Sequence, residues 1–215
     1  MKTDESSAQG THAPNYGQAP YLLMVYIREH YILMNPFLKW ALLLPLSIIK
    51  TIAGRFTAPF VVLFADADGW LPSWLSWFQT PDNSLDGDNG WKNEHMQWRF
   101  KFPLDIAMYL GRVGWLVRNN MYGFDIQVLG AKCLETDQLA TVGDLATSDS
   151  PAHSGSVARK LYRDGKVIYW QWYYIYVYGS RCIRLNFGWK LWGFDGTAKN
   201  IQYVFYPNPL KSAKP

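Results

Sequence analysis

The sequence predicts an α+β protein, in which N-terminal apolar helical segments precede a C-terminal antiparallel meander of about five strands. Residues 37–65 are apolar throughout, apart from the charged side chains of Lys39, Lys50 and Arg55. Residues 166–178 are instead almost entirely β-branched and aromatic, which is typical of a strand. The change from one composition to the other along the chain indicates the fold class.

Composition divides the chain into five segments. Residues 1–33 are polar and rich in Pro and Gly at their start, so we expect a disordered or poorly ordered extension. Residues 34–65 form an apolar, membrane-associating segment, and 66–121 a Trp-rich helical bridge with an Asp-rich loop. An antiparallel β domain is expected over 122–206, followed by a tail over 207–215.

The apolar segment is expected to form two short helices with a break near Gly54, because Pro45, Gly54 and Pro59 weaken a continuous helix. Its lysine and arginine side chains oppose a single span, since a charge at the bilayer centre costs about 2.5–3.5 kcal/mol. Three arrangements remain open: a helix lying in the membrane interface, a true span, and a helix pair buried in a core or against a partner.

An interfacial helix would divide its side chains between acyl chains and lipid headgroups. Long cationic side chains and Trp anchor to headgroups, while aliphatic and aromatic side chains enter the acyl boundary. The expected membrane contacts are Trp40, Leu43, Leu44, Ile48, Ile49, Phe60, Val61 and Phe64, with Lys39, Lys50, Arg55 and Trp70 as headgroup anchors.

The Asp-rich loop offers a weak calcium motif. Asp82, Asp86 and Asp88 supply carboxylates at nearby positions, as in the first half of an EF-hand loop. Asn93 stands where the closing glutamate belongs. We therefore expect turn and helix-capping chemistry in preference to calcium binding, and we predict no metal and no cofactor.

The periodicity of apolar residues predicts the later elements. A helix is expected to begin after residues 89–90, and another over 105–117. Alternation predicts a strand over 124–132, and Asp164-Gly165 is a strong two-residue hairpin turn before 166–178. The two cysteines, Cys133 and Cys182, are too few for a disulfide framework, so we expect buried thiols.

The sequence contains no motif of a known catalytic class. It has no P-loop, Rossmann glycine pattern, nucleophile elbow or zinc-ligand spacing, and its four histidines lie far apart. We predict that the protein is not an enzyme. Residues 159–190 carry an excess of bases, but their aromatic residues are too dense to be all exposed, so we also predict no nucleic-acid partner.

A resemblance to a known group of proteins rests on motifs in the middle of the chain. These are Trp77-Phe78-Gln79-Thr80-Pro81-Asp82, Leu85-Asp86-Gly87-Asp88, Gly90-Trp91, Trp98-Arg99, Tyr109, Arg112-Val113-Gly114-Trp115-Leu116, Arg118-Asn119 and Tyr122-Gly123-Phe124, with Arg184 and Gly188-Trp189-Lys190 later in the chain. They resemble uncharacterised proteins of tailed bacteriophages and prophages, over residues 34–190. The resemblance implies a phage origin and a bacterial host, and it carries no site residues.

These observations lead to two functional hypotheses. The first is a phage-encoded, membrane-associated interaction protein at the cytoplasmic face of the host inner membrane, with lipid and a phage or host protein as partners. The second is a soluble, β-rich virion or assembly module, or a ligand-binding module, in which residues 37–65 form core or subunit interface. The need for detergent distinguishes them.

Overall fold

The fold is taken from a computed structural model that describes residues 34–96 and 101–213. Residues 35–215 belong to one compact unit. The predicted N-terminal extension over 1–33 lies outside the described residues. The unit contains helices followed by an antiparallel five-stranded sheet, so the predicted α+β class is confirmed.

One long helix, α1, spans Pro36–Val61. Asn35 caps it by accepting a hydrogen bond from the Phe37 backbone N–H at 2.9 Å, and Pro36 occupies the first turn, where no donor is needed. A 3₁₀ helix, Val62–Phe64, continues it. The predicted break near Gly54 is wrong, because the helix runs through it and packs against the protein along its whole length.

The helical part of the chain continues with the 3₁₀ helix Ser73–Phe78 and the helices α2, Asn89–His95, and α3, Leu104–Arg118. The predicted helices after residues 89–90 and over 105–117 are thus confirmed. The last turns of α1 pack into the apolar core that these elements share. Its buried members are Ala58, Val61, Val62, Leu75, Leu85, Trp91, Met96, Trp115 and Leu116.

Arg112 of α3 holds the Asp-rich loop against this core. Its Nε donates to Asp86 Oδ1 at 2.7 Å, and its Nη atoms donate to the backbone carbonyls of Asp66 and Ala67 at 3.1 and 3.0 Å. One guanidinium therefore joins the chain that leaves α1 to the loop that precedes α2.

The segment Tyr122–Gln127 forms a short helix, α4, so the predicted strand over 124–132 is wrong except at residues 131–132, which begin the strand Ala131–Cys133. Gly123 lies against the carbonyl of Ser76, where an added Cβ would approach the oxygen to 2.3 Å. This close contact holds α4 on the 3₁₀ helix. An alternating pattern over so few residues does not separate a strand from a helix that is buried on one side.

Within residues 101–213, seven strands follow, in two sheets. They are β1, Ala131–Cys133; β2, Gln138–Gly143; β3, Gly155–Arg163; β4, Lys166–Tyr178; β5, Arg181–Trp189; β6, Lys199–Ile201; and β7, Tyr203–Ser212. β1 pairs with β6, and the order of the main sheet is β2-β3-β4-β5-β7, all antiparallel.

The hairpin between β3 and β4 is confirmed. Asp164 and Gly165 both have positive φ, 51° and 72°, as a two-residue turn of this kind requires. Strand β7 extends into the predicted tail over 207–215 and carries Pro207 and Pro209. Strand β7 lies at the edge of the sheet, so its prolines leave the hydrogen bonds between the inner strands intact.

The sheet core is centred on Trp189, which is fully buried with Leu161, Leu191 and Tyr203. The Trp189 indole donates to the Leu129 carbonyl at 3.0 Å. Cys133 and Cys182 are both buried and free, as expected from the sequence. The sheet therefore has its own core. Helix α1 packs against this core through Trp40 and Leu43.

Candidate functional site

Helix α1 turns its polar and small residues toward the protein. We call this set the inward stripe. Its members are separated by three, four or, once, eight residues, which places them on one face over the full length of the helix. They are Pro36, Lys39, Ser47, Lys50, Gly54, Ala58 and Val61.

The first turns of α1 pack on the sheet through Trp40. The Trp40 indole donates to the Val204 carbonyl at 3.1 Å, and the Tyr203 hydroxyl donates to the Trp40 carbonyl at 3.0 Å. The Trp40 ring also contacts Trp170 and Phe187 at centroid distances of 5.4 and 5.8 Å. Aromatic contacts and hydrogen bonds together fix this end of the helix to β4, β5 and β7.

Lys39 enters the sheet core beside Tyr169. Its Nζ lies 3.3 Å from the Tyr169 hydroxyl oxygen and 4.6 Å from the centroid of the Tyr169 ring. Burial, reinforced by the nearby Arg163 charge, lowers the pKa of Lys39 to about 8. The ammonium thus faces an aromatic pocket of the protein.

Lys50, at the middle of α1, is paired inside the protein. Its Nζ donates to Asp125 Oδ2 at 2.7 Å and to the Asn120 carbonyl at 2.9 Å. Burial raises the pKa of Asp125, and the Lys50 ammonium opposes that rise. The partner carboxylate comes from α4, one turn after the loop that follows α3.

Gly54 allows that loop to approach α1. An added Cβ at Gly54 would lie 2.0 Å from Asn120 Oδ1 and 2.7 Å from Met121 Cγ. The Asn120 side chain is held in place because its Nδ2 donates to the Thr51 carbonyl at 2.6 Å. A glycine is therefore required here for close packing, rather than for a helix break.

The opposite side of α1 is apolar and exposed. We call it the outward face, and it includes the 3₁₀ helix that follows. Phe56 and Phe60 keep 75% and 68% of their surface exposed. Its members are Leu38, Leu42, Leu46, Ile48, Ile49, Ile52, Phe56, Phe60, Leu63 and Phe64.

The polarity of α1 is thus the reverse of that expected for a surface helix of a water-soluble protein, which buries its apolar stripe and exposes its charges. Two lysines and a serine face the protein, whereas large aliphatic and aromatic side chains face outward. Among the described residues, Pro36–Phe64 is the one helical stretch that is long and apolar enough to cross a membrane. By itself, that length and composition are weak evidence of a membrane location.

Further exposed apolar side chains continue from the end of the outward face. The ring of Phe64 contacts that of Trp74 at a centroid distance of 5.4 Å, and Trp74 is itself exposed. Trp70 and Trp77 are also exposed. The exposed apolar surface therefore extends past α1 into the Trp-rich segment.

The predicted membrane contacts fall into two groups. Ile48, Ile49, Phe60 and Phe64 are exposed. Trp40, Leu43 and Leu44 are only partly exposed, and Val61 is buried. Trp40 and Leu43 pack on the sheet core.

The predicted headgroup anchors also divide. Arg55 and Trp70 are exposed, but Lys39 and Lys50 lie on the inward stripe and face the protein, which differs from the sequence prediction. The prediction did not include five of the most exposed residues. These are Leu38, Leu42, Ile52, Phe56 and Leu63. The recurrence of Lys39, Ser47, Lys50, Gly54 and Ala58 at helical spacing is the signal that distinguishes the two faces.

Two of the three carboxylates of the weak calcium motif bind other groups of the protein. Asp86 is paired with Arg112, and Asp88 caps α2 by accepting from the Trp91 backbone N–H at 2.6 Å. Asp82 is exposed. Within residues 34–96 and 101–213, no three His, Cys, Asp or Glu side chains are grouped closely enough to hold a metal ion.

A cavity of about 860 Å³, which we call the basic cavity, lies between α1, the end of α3, α4 and strands β5 and β7. Its wall holds one carboxylate, that of Asp125, and six cationic side chains. The cations are Lys50, Arg55, Arg118, Arg184, Lys190 and Lys211. Lys50 and Lys211 are paired with Asp125 and Asp149, and the other four have no carboxylate partner within the described part of the chain.

Lys190, one of these four cations, lies beside the ring of Tyr122. Its Nζ lies 5.0 Å from the centroid of the Tyr122 ring. Burial lowers the pKa of Lys190 to about 8, against the opposing effect of Asp125. Arg184 lies over the rings of Tyr173 and Tyr206, and its buried Nε has no hydrogen-bond acceptor among the residues described.

Comparison with curated proteins gave no match, and comparison with solved structures gave none. A match with a protein family covers residues 32–215, which include α1, the helical core and both sheets. The chain belongs to this family, which is described as a family of unknown function (DUF7338).

Proposed function

We propose that the protein is a phage-encoded, non-enzymatic interaction protein that attaches to the host inner membrane through the outward face of α1. The observation that carries this proposal is the reversed polarity of that helix. Large apolar side chains point away from the protein while Lys39 and Lys50 point into it. Contiguous exposed apolar surface of this kind marks a membrane or protein interaction site.

The packing of α1 favours a helix that lies in the membrane interface over a span. At 1.5 Å per residue, its 26 residues are about 39 Å long, enough to cross a hydrocarbon core of about 30 Å. The inward stripe, however, contacts the protein from Pro36 to Val61. A spanning α1 would carry the strands beside it into hydrocarbon, where the unpaired edges of an open sheet are not tolerated.

The proposed side of the membrane follows from charge and from the resemblance. The exposed Arg55 lies next to the outward face, and cationic side chains near a membrane segment favour the cytoplasmic side. The resemblance of residues 34–190 to phage and prophage proteins supports a bacterial host. Lipid is the first partner, and a phage or host protein bound by the sheet would be the second.

Membrane fractionation tests the proposal. The wild-type chain is compared with a variant that carries Ile49→Glu and Phe56→Glu, both on the outward face, and with Val142→Glu, an equally exposed apolar residue on strand β2. We expect the wild type and Val142→Glu to pellet with membranes in high salt and in alkaline carbonate. The outward-face variant should stay folded and soluble.

The opposite outcome supports the second hypothesis. If the wild type is soluble without detergent and sediments as an oligomer, and the outward-face variant is a monomer, then this face is a subunit interface. The membrane proposal is then contradicted, and an assembly module takes its place.

A further inference from the structure

The basic cavity adjoins the outward face of α1. Ile48 and Ile52 line the cavity, and both are also exposed members of the outward face. Arg55, on the next turn, lines it as well. A molecule whose apolar part lies along the outward face would therefore place its polar end at the mouth of the cavity.

The charge of the cavity wall favours an anion. Arg55, Arg118, Arg184 and Lys190 contribute four positive charges that no carboxylate balances among the described residues. Arg55 and Arg118 are exposed to water, but burial lowers the pKa of Lys190, so a bound anion would stabilise its charged form. Arginine and lysine side chains converging on one space are the usual ligands of a phosphate group.

The cavity opens beside the exposed apolar side chains of Ile48 and Ile52. An anion that also carries an apolar part would therefore contact both the cations of the wall and the outward face. An anionic phospholipid has this combination, with a phosphate group next to acyl chains.

We propose that the basic cavity binds the phosphate group of an anionic phospholipid whose acyl chains lie along the outward face of α1. Arg184 and Lys190, both of which line the cavity, contact the phosphate. The proposal rests on the proposed membrane attachment, which it deepens by naming the lipid class.

Binding of the full chain to vesicles tests the assignment. Vesicles of phosphatidylcholine alone are compared with vesicles that contain phosphatidylglycerol or, at equal surface charge, phosphatidylserine. The variants are Lys190→Gln and Arg184→Gln, with Lys190→Arg as the charge-conserving variant. Lys160→Gln, an exposed lysine on β3 outside the cavity, is the matched control. Thermal unfolding confirms that each variant is folded.

We expect tighter binding to both kinds of anionic vesicle than to phosphatidylcholine vesicles. Each cavity variant should lose roughly fivefold in affinity for the anionic vesicles, the effect of removing one charge close to an anionic surface, while Lys190→Arg and the control retain wild-type binding. Binding to phosphatidylcholine vesicles should not change in any variant, because it depends on the outward face.

Several outcomes would overturn the assignment, and they are separable from failure of membrane attachment. Equal binding of the wild type to anionic and phosphatidylcholine vesicles contradicts recognition of an anionic headgroup. Equal losses in Lys190→Gln and Lys160→Gln contradict the cavity. Stabilisation by glycerol phosphate in solution, without any vesicle preference, indicates a soluble phosphate ester. Failure to bind any vesicle contradicts the proposed function itself.

Discussion

Lys50 of α1 lies 2.7 Å from the Asp125 carboxylate of α4, and both side chains are buried. The charge at the middle of the apolar segment is therefore compensated by the protein and not by lipid headgroups. This pair lies between the two cores, because the first turns of α1 pack on the sheet and the last turns pack on the helices. It also allows the outward face to be apolar along the whole helix.

Removing one partner of this pair should destabilise the protein strongly. For Lys50→Met we expect a loss of about 3–5 kcal/mol in the free energy of unfolding, because Asp125 would remain buried without its counterion. Combining Lys50→Met with Asp125→Leu should restore most of the loss. Urea denaturation measures both, with the exposed Lys166→Met as control. Additive losses in the double variant would contradict the pairing.

Gly54 should not tolerate a side chain. The Cβ of Gly54→Ala would meet Asn120 Oδ1 at 2.0 Å, and that side chain is held by its bond to Thr51. We expect about 1–3 kcal/mol of destabilisation from overpacking, although alanine is the better helix former. Gly193→Ala is the control, since nothing lies within 4 Å of its added Cβ. Thermal unfolding that shows Gly54→Ala to be more stable would refute this packing.

Arg112 should not be replaceable by lysine. An ammonium cannot reproduce the paired bonds to Asp86 together with those to the carbonyls of Asp66 and Ala67. We expect Arg112→Lys to lose about 1.5–3 kcal/mol of stability, the size of a charged hydrogen bond. The exposed Arg181→Lys serves as control in the same denaturation experiment. Equal stability of the two variants would count against the role of Arg112.

Binding of anionic vesicles should depend on pH through Lys190. Asp125 and Tyr122 face it from α4, Arg184 from β5 and Lys50 from α1. Because burial lowers the pKa of Lys190 from 10.5 to about 8, its contribution to folding stability increases as the pH rises from about 8 to 10.5. Phosphate binding has the opposite dependence, since it needs the charged form.

We therefore expect the affinity for phosphatidylglycerol vesicles to be full below about pH 8 and to decrease above it. Lys190→Arg should retain its affinity to higher pH, because a guanidinium stays charged. Vesicle binding measured from about pH 6.5 to 9.5 compares the two. Identical pH profiles would show that another group is responsible.

Local sequence patterns were sufficient for much of the fold. The Asp164-Gly165 turn and the apolar period over 105–117 are short-range signals, and both gave correct elements. The strand predicted over 124–132 was largely wrong, because the structure of this segment depends on contacts with residues that are distant in sequence. Gly123 packs on Ser76, and Asp125 is paired with Lys50.

The candidate site was only half predictable for the same reason. The sequence indicated that residues 37–65 seek an apolar environment, and it identified Ile48, Ile49, Phe60 and Phe64, which are exposed. It did not reveal that Lys39 and Lys50 face inward, since their partners Tyr169 and Asp125 lie far along the chain. The basic cavity likewise combines α1 with β5 and β7, which no local pattern joins.

A depth profile of the outward face in membranes would test the account most directly. Spin labels are placed on single cysteines at positions 38, 42, 49, 56 and 60, with 142 on β2 as the reference. Burial raises the pKa of the native thiols, that of Cys133 to about 12, so the introduced cysteines should react selectively. The account predicts the same shallow depth at all five positions and none at 142. Depths that increase to the bilayer centre and decrease again along α1 would show a span, and five labels exposed to water would show that α1 does not contact lipid.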